Sequence, residues 1–284
     1  MLPHDYIQLV ENKINDAYEE GGSNTYESNK QSYEEWLKCI LPNQDVFEYT
    51  MTGFARSLNL SLSDKYVRFF VNSSGSNVKT MLTNMLDTAV GADYVSIVGP
   101  QMFVGNKNKS NSCASPDIMD LKGKRICIVK EASRDMKIHA GIIKWLCGGD
   151  GKKIAGRKLY GDQQSFRLDC QLYFCVNLMP EFASADGDGG LKRRVKKVPF
   201  QSLFTHDESR VNHDENVYLA KSLGDTPLDK YAELIILDLL ERANIPLIEP
   251  DVVKIETEEH HDEENHTDAF IDNRSKGKPV SVGC

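Results

Sequence analysis

The sequence holds no run of roughly 18 apolar residues, which leaves no helix able to span a bilayer. Its start, MLPHDYIQLVENK, lacks the basic flank and apolar core of a signal peptide. No CxxC pair occurs among the seven cysteines (Cys39, Cys113, Cys127, Cys147, Cys170, Cys175 and Cys284). An odd count without pairing argues against a disulfide framework and for reduced thiols, buried in the case of Cys127 and Cys175, which sit in apolar runs. There is no internal repeat, so no solenoid or propeller is expected. A basic excess is missing as well, since the net charge is −8.

That charge is unevenly placed. Nine acidic and four basic side chains give residues 251–284 a charge of −5, leaving −3 for the rest. Within the rest lies one dense basic stretch, Lys192, Arg193, Arg194, Lys196 and Lys197. An acidic exterior around a basic channel is compatible with a polyanionic partner, so the overall sign excludes little.

The 284 residues are 40% apolar, enough for one large domain or one with a small helical companion. Helical spacing marks 5–20, 33–41 and 45–58, an N-terminal collar. Runs of β-branched and aromatic residues mark strands at 66–71, 125–129, 171–176 and 195–200, with helices at 79–89 and 138–146. This alternation predicts an α/β domain with a mainly parallel sheet. A further helix is expected at 228–243. From 254 the chain is acidic, bears His260, His261 and His266, and has few large apolar residues, so a disordered tail is expected. The expected units are 1–62, 63–206, 207–253 and 254–284.

Between the first strand and its helix stand Val71, Asn72, Ser73, Ser74, Gly75, Ser76, Asn77, Val78, Lys79 and Thr80. A strand-to-helix loop ending in Lys-Thr is the setting of a phosphate loop. Backbone amides cradle the phosphates, the lysine reaches the outer ones, and the hydroxyl serves magnesium. The pattern G-x-x-x-x-G-K-[ST] has glycine six before and one before the lysine. Here those positions are Ser73 and Val78, and only Gly75 remains. A β-branched residue at the closest approach is expected to add bulk and, at positive φ, strain of about 1–2 kcal/mol. Weakened nucleotide binding or hydrolysis follows as an expectation, with Val78→Gly as its remedy. A polar loop with a chance Lys-Thr is the plain alternative.

Downstream residues bear on the choice. Ser115, Pro116 and Asp117, then Leu121, Lys122, Gly123, Lys124 and Arg125, lead into an apolar strand that closes on Lys130 and Glu131. Gly148, Gly149 and Asp150 precede Arg157, Lys158, Leu159, Tyr160 and Phe166. The next strand ends on Asn177, and Gly190 precedes Arg193 and Arg194. Alone, Glu131 reads as a surface charge, Asn177 as a turn residue, and the basic residues as solvated patches.

Together, and in this order, the motifs resemble the motor domain of superfamily 3 helicases from Phe54 to about Phe204. They are most similar to the phage/plasmid primase family and to primase-helicases of nucleocytoplasmic large DNA viruses, poxvirus-type enzymes included. The resemblance implies a P-loop NTPase core, AAA+-like, with a parallel sheet flanked by helices and a small N-terminal collar. It implies ATP on Ser74, Gly75, Ser76, Asn77, Val78, Lys79 and Thr80, with Mg2+ on Thr80 and Glu131. Glu131 would polarise the attacking water or support the metal, and Asn177 would act as a sensor of the γ-phosphate. Many relatives carry two acids where this chain has Lys130 and Glu131. Arg157, Lys158 and Tyr160 would contact DNA from a hairpin, and Arg193 or Arg194 would serve a neighbouring subunit as an arginine finger.

The implied protein is an ATP-dependent helicase motor that moves on single-stranded or forked DNA as a homo-oligomeric ring, a hexamer by analogy. Its expected place is the host cytoplasm or a viral replication site. About 65 residues precede the first strand of the motor core, so priming is expected from a separate primase or a missing N-terminal part. The alternative is a catalytically degenerate relative serving as a DNA-binding scaffold, as Ser73 and Val78 would have it.

Overall fold

Five parallel strands form the centre of the molecule, seen in a computed structural model that describes residues 27–59, 65–72, 78–104, 116–132, 136–147, 153–158, 160–183, 189–220 and 228–276. In chain order the strands are β1 (Val67–Val71), β2 (Val95–Val98), β3 (Ile126–Ala132), β4 (Lys137–His139), β5 (Lys153–Gly156), β6 (Gln164–Arg167), β7 (Gln171–Val176), β8 (Glu181–Ala183), β9 (Val195–Pro199), β10 (Leu203–Thr205) and β11 (Val217–Leu219). The helices are α1 (27–40), α2 (Gln44–Ser57), α3 (Val78–Val90), α4 (Pro116–Met119), α5 (Ala140–Leu146), α6 (Gly189–Lys192), α7 (Leu228–Arg242) and α8 (Asp251–Lys276).

The central order is β2-β3-β7-β1-β9, which reads 5-1-4-3-2 by core-strand number from the β9 edge. A parallel sheet is covered on both faces, so its strands read as near-continuous apolar runs. Every residue of β7 is buried, and its side chains alternate between two clusters. Leu172, Phe174 and Val176 join Val67, Phe69, Cys127 and Val129 on one face. Tyr173 and Cys175 join Phe70, Ile126, Ile128 and Val198 on the other, under α1, α2, α3 and α7. Register carries the pairing across strands: Phe69 is level with Phe174, and their rings stack at 4.6 Å.

The two described N-terminal helices belong to this core. Asn43 caps α2 by accepting from the amides of Asp45 and Val46, with Asp45 in the first turn and Arg56 in the last. Phe54 of α2 packs against Tyr173 at 4.9 Å and edge-on to Phe70 at 5.9 Å. Arg68 of β1 is fully buried, its guanidinium 5.3 Å from the Tyr49 ring centre and 5.6 Å from that of Tyr173. These two π faces offset part of the cost of burying a charge. The expected helix at 5–20 lies outside the described residues.

The four expected strands and the helices at 33–41, 45–58, 79–89, 138–146 and 228–243 fall close to their places; β2 is the strand of the central sheet that the periodicity misses, and the short β4, β8, β10 and β11 were not expected either. Strand β2 has four residues, sits at the sheet edge, and leaves Ile97 42% exposed, so its apolar signal is short and broken. No helix among the described residues is long and apolar enough to cross a membrane.

The segment expected to be a disordered tail is helical from Asp251 to Lys276. Val253, Thr257 and His260 are buried, a stripe at spacings of four and three. Its acids meet the basic stretch: Lys197 pairs with Glu256 at 2.6 Å and, just ahead of α8, Lys196 pairs with Glu249 at 2.8 Å. Thr257 Oγ1 accepts the amide proton of Lys197 at 3.0 Å, so α8 covers the open edge of β9. Composition hid this helix because its partners lie some 60 residues earlier in the chain, where no local pattern shows them.

Candidate functional site

Three strand ends stand level at the C-terminal edge of the sheet. Val71 of β1 and Ala132 of β3 both pair with Val176 of β7, so Asn177 follows between Asn72 on one side and the end of β3 on the other. Outside the carboxyl ends of parallel strands is where open α/β sheets bind ligands. Lys79, in the first turn of α3, reaches this edge. Its Nζ lies 3.3 Å from Asn177 Oδ1 and 3.4 Å from the carbonyl of Asn72. Thus Lys79 and Asn177, 98 residues apart, meet at one edge of the sheet.

These contacts are long for charged donors and their acceptors are neutral, so Lys79 is held loosely. It is 5% exposed, and burial holds its pKa below the usual lysine value. An ammonium kept from water without a strong partner gains from any anion delivered to this edge. Thr80, next on α3, is half-buried and offers a hydroxyl. Ser73, Ser74, Gly75, Ser76 and Asn77 lie outside the described residues.

Val78 is the first residue of α3, 0% exposed, and part of the apolar cluster that includes Phe70, Leu82 and Leu86. Its bulk anchors the helix start in the core.

At the end of β3 the register shifts: Lys130 pairs with Cys175 and Ala132 with Val176, leaving Glu131 in a β-bulge. Bulges are common beside active sites, and this one falls on the residue expected to carry acid chemistry. Lys130 Nζ donates to Asn84 Oδ1 at 2.8 Å, tying β3 to α3 one turn beyond Thr80. Cys175, below both lysines, has its thiol pushed up to about 12 by burial, with Lys79 and Lys130 pulling it back.

Sequence reasoning passed over Asn72, Asn84 and Cys175. Asn84, four residues after Thr80, shares its helix face, a signal available in the spacing. Asn72 is 4% exposed and donates from Nδ2 to the Ser202 carbonyl at 2.9 Å, while Ser202 Oγ donates to the Ile40 carbonyl at 3.1 Å. That relay fixes the strand end from which the loop departs, and it needs tertiary contacts to be seen.

The remaining site candidates lie elsewhere. β5 and β6 form an antiparallel hairpin whose loop carries Arg157, half-buried, and Lys158, exposed. Tyr160 is 98% exposed with φ 60°. β6 ends at Arg167 and β7 starts at Gln171, so the hairpin springs from the N-terminal edge of the sheet. Arg193 and Arg194 are at that edge too, because Val195 pairs with Val67 and the Arg194 carbonyl accepts from the Val67 amide at 2.8 Å. Along β1, that is on the order of 20 Å from the Asn72 end. Neither arginine is placed to meet Lys79 of the same chain. They also differ: Arg193 is exposed, whereas Arg194 is half-buried and donates to the Gly190 carbonyl at 2.6 Å.

The described cysteines, Cys39, Cys127, Cys147, Cys170 and Cys175, are in no disulfide, and all but the half-buried Cys39 are buried. Among the described residues no group of three or more His, Cys, Asp or Glu is placed to hold a metal ion.

No family model matches the chain. It is similar to "Putative helicase L207/L206" of Acanthamoeba polyphaga mimivirus, 31% identical over 175 residues, covering 61% of this chain and 18% of that protein. It is also similar to "Putative helicase 184R" of Invertebrate iridescent virus 6, 24% identical over 183 residues, covering 63% of this chain and 18% of that one. The chain thus spans about a fifth of the length of these curated relatives. Among solved structures, the apo C-terminal region of NrS-1 is similar with a TM-score of 0.49 and 13% identity, over 77% of this chain and 46% of that one. The α/β core with its strand–loop–lysine-bearing helix is consistent with a P-loop NTPase fold, and the sequence is similar to viral helicase-like proteins.

Proposed function

We propose that the chain is the ATP-hydrolysing motor core of a viral replication helicase of the superfamily 3 type. Subunits assemble as a ring, six by analogy, and draw single-stranded DNA through the centre. The observation that carries this reading is the meeting of Lys79 Nζ and Asn177 Oδ1 at the carboxyl edge of the sheet, 3.3 Å apart.

Amides of residues 74–80 hold the triphosphate in this reading, and Lys79 exchanges its two neutral acceptors for the outer phosphate oxygens, a stronger pairing. Asn177, released from Lys79, orients the γ-phosphate or the attacking water, and Glu131 polarises that water. The hard oxygen donors suited to Mg2+ are the Thr80 hydroxyl and the Glu131 carboxylate; the ion, when bound, neutralises phosphate charge. Arg193, exposed and on the order of 20 Å from its own Lys79, serves the next subunit's nucleotide. Arg157, Lys158 and Tyr160 contact DNA, the basic pair through phosphates and the tyrosine by packing against a sugar or base. Priming comes from a primase on another segment or another protein.

The test is ATP hydrolysis by the full chain with and without single-stranded DNA, beside Lys79→Ala and with the assembly sized. DNA-stimulated turnover by an oligomer, abolished by the substitution, supports the motor. DNA binding without turnover, indifferent to Lys79→Ala, supports a degenerate scaffold in its place.

A further inference from the structure

We infer that Lys130 is a second cation of the phosphate site, one that takes over part of the charge neutralisation a magnesium ion would supply. This rests on the nucleotide reading above.

Lys130 is level with Cys175, so both side chains stand on the α3 side of the sheet. Its Nζ reaches Asn84 Oδ1 at 2.8 Å, and Asn84 lies on the same helix face as Thr80. Lys79 approaches from the first turn of that helix, and the Cys175 thiol feels both ammonium groups. The hydrogen-bond acceptors of both lysines are neutral: Asn177 Oδ1 and the Asn72 carbonyl for one, Asn84 Oδ1 for the other. Among the described side chains neither is in an ion pair with a carboxylate. One is buried and the other half-buried, where charge is screened poorly, so a polyphosphate arriving between them gains an attraction to both. The same ammonium opposes a divalent cation at Thr80, so Lys130 shifts the balance from metal toward protein charge.

The experiment measures ATP affinity of the full chain by titration calorimetry, in Mg2+ and in EDTA, for the native protein, Lys130→Met, Lys130→Arg and Lys79→Ala. Native affinity is expected to fall no more than about threefold on removing Mg2+. Lys130→Met should lose about tenfold in EDTA and less in Mg2+, while Lys130→Arg should retain native behaviour in both. The methionine keeps the stem's packing, and melting curves confirm that each variant is folded. A native loss beyond about thirtyfold in EDTA, or Lys130→Met matching native there, overturns the inference while leaving the nucleotide site intact. Absence of ATP binding, or binding unaffected by Lys79→Ala, overturns the nucleotide reading and this inference with it.

Discussion

Replacing Val78 by glycine restores the residue that a phosphate loop ordinarily carries before its lysine, and the structure predicts harm from it. The side chain is 0% exposed within the cluster of Phe70, Leu82 and Leu86. Full burial of a valine is worth about 1.5–3 kcal/mol, and glycine in a helix costs about 0.5–1 kcal/mol more. The sum, roughly 2–4 kcal/mol, corresponds to a melting temperature lower by on the order of 4–12 °C in a domain this large. Val78→Ala keeps the helical backbone preference and loses about 1.6 kcal/mol from two methyl groups, separating side chain from backbone. Thermal melts with and without ATP, beside nucleotide titration, provide the assay. Both variants should melt earlier and bind ATP no more tightly than the native chain. A glycine variant of unchanged stability that binds ATP about tenfold more tightly would refute the reasoning and place the valine against the phosphates after all.

Lys79→Met should abolish ATP binding yet raise the melting temperature of the nucleotide-free protein, because a charge held out of water is removed. Burial lowers the folded-state pKa of Lys79, so the unfolded chain binds more protons between that value and the ordinary one. Stability should therefore rise with pH across that window in the native protein, by an increment that Lys79→Met lacks in pH-dependent denaturation. Arg193→Ala should leave ATP binding intact and reduce turnover of the assembly by about 10³-fold, whereas Arg194→Ala should lower stability by about 1 kcal/mol through its lost bond to Gly190; single-turnover kinetics and denaturant melts tell the two apart. Val253→Ala should destabilise by about 1.5–2.5 kcal/mol and speed hydrogen exchange at the Lys197 amide, the result expected if α8 is docked. Unchanged exchange there would return that segment to a solvated tail.

The sheet was legible because β1, β3 and β7 are rich in aromatic and β-branched residues, as a strand buried on both faces requires, whereas the edge strand β9 shows only Val195 and Val198. That Lys79 and Asn177 share one edge of the sheet was suggested only by motif order, since 98 residues separate them and no periodicity links them; their direct contact was not foreseen. The segment 254–276 was judged by its acidic composition, and the basic stretch around Lys197, far off in the chain, takes it up as a helix. Val78 was judged by its place in a motif, and its burial among Phe70, Leu82 and Leu86 is a contact no local pattern shows. Sequence shows what a residue is, and a tertiary partner decides whether its bulk or charge is a liability.

The distribution of the candidate residues constrains how such a motor would work. β7 begins beside the β5–β6 hairpin and ends at Asn177, with six fully buried residues between. Its neighbours β1 and β3 are locked to it in register, and Phe69 and Phe103 pack against its Phe174 at ring separations of 4.6 and 4.8 Å. Close-packed interiors shift between discrete arrangements and do not stretch. A change at Asn177 therefore reaches Tyr160 only by moving the sheet as one body. Under the motor reading, the movement that carries DNA occurs where Arg193 of one subunit meets the nucleotide of the next, with each core turning as a rigid unit. Distances between labels at Tyr160 and Lys192 within one subunit should stay constant through the ATP cycle, and those between subunits should change; a hairpin moving against its own sheet would contradict this.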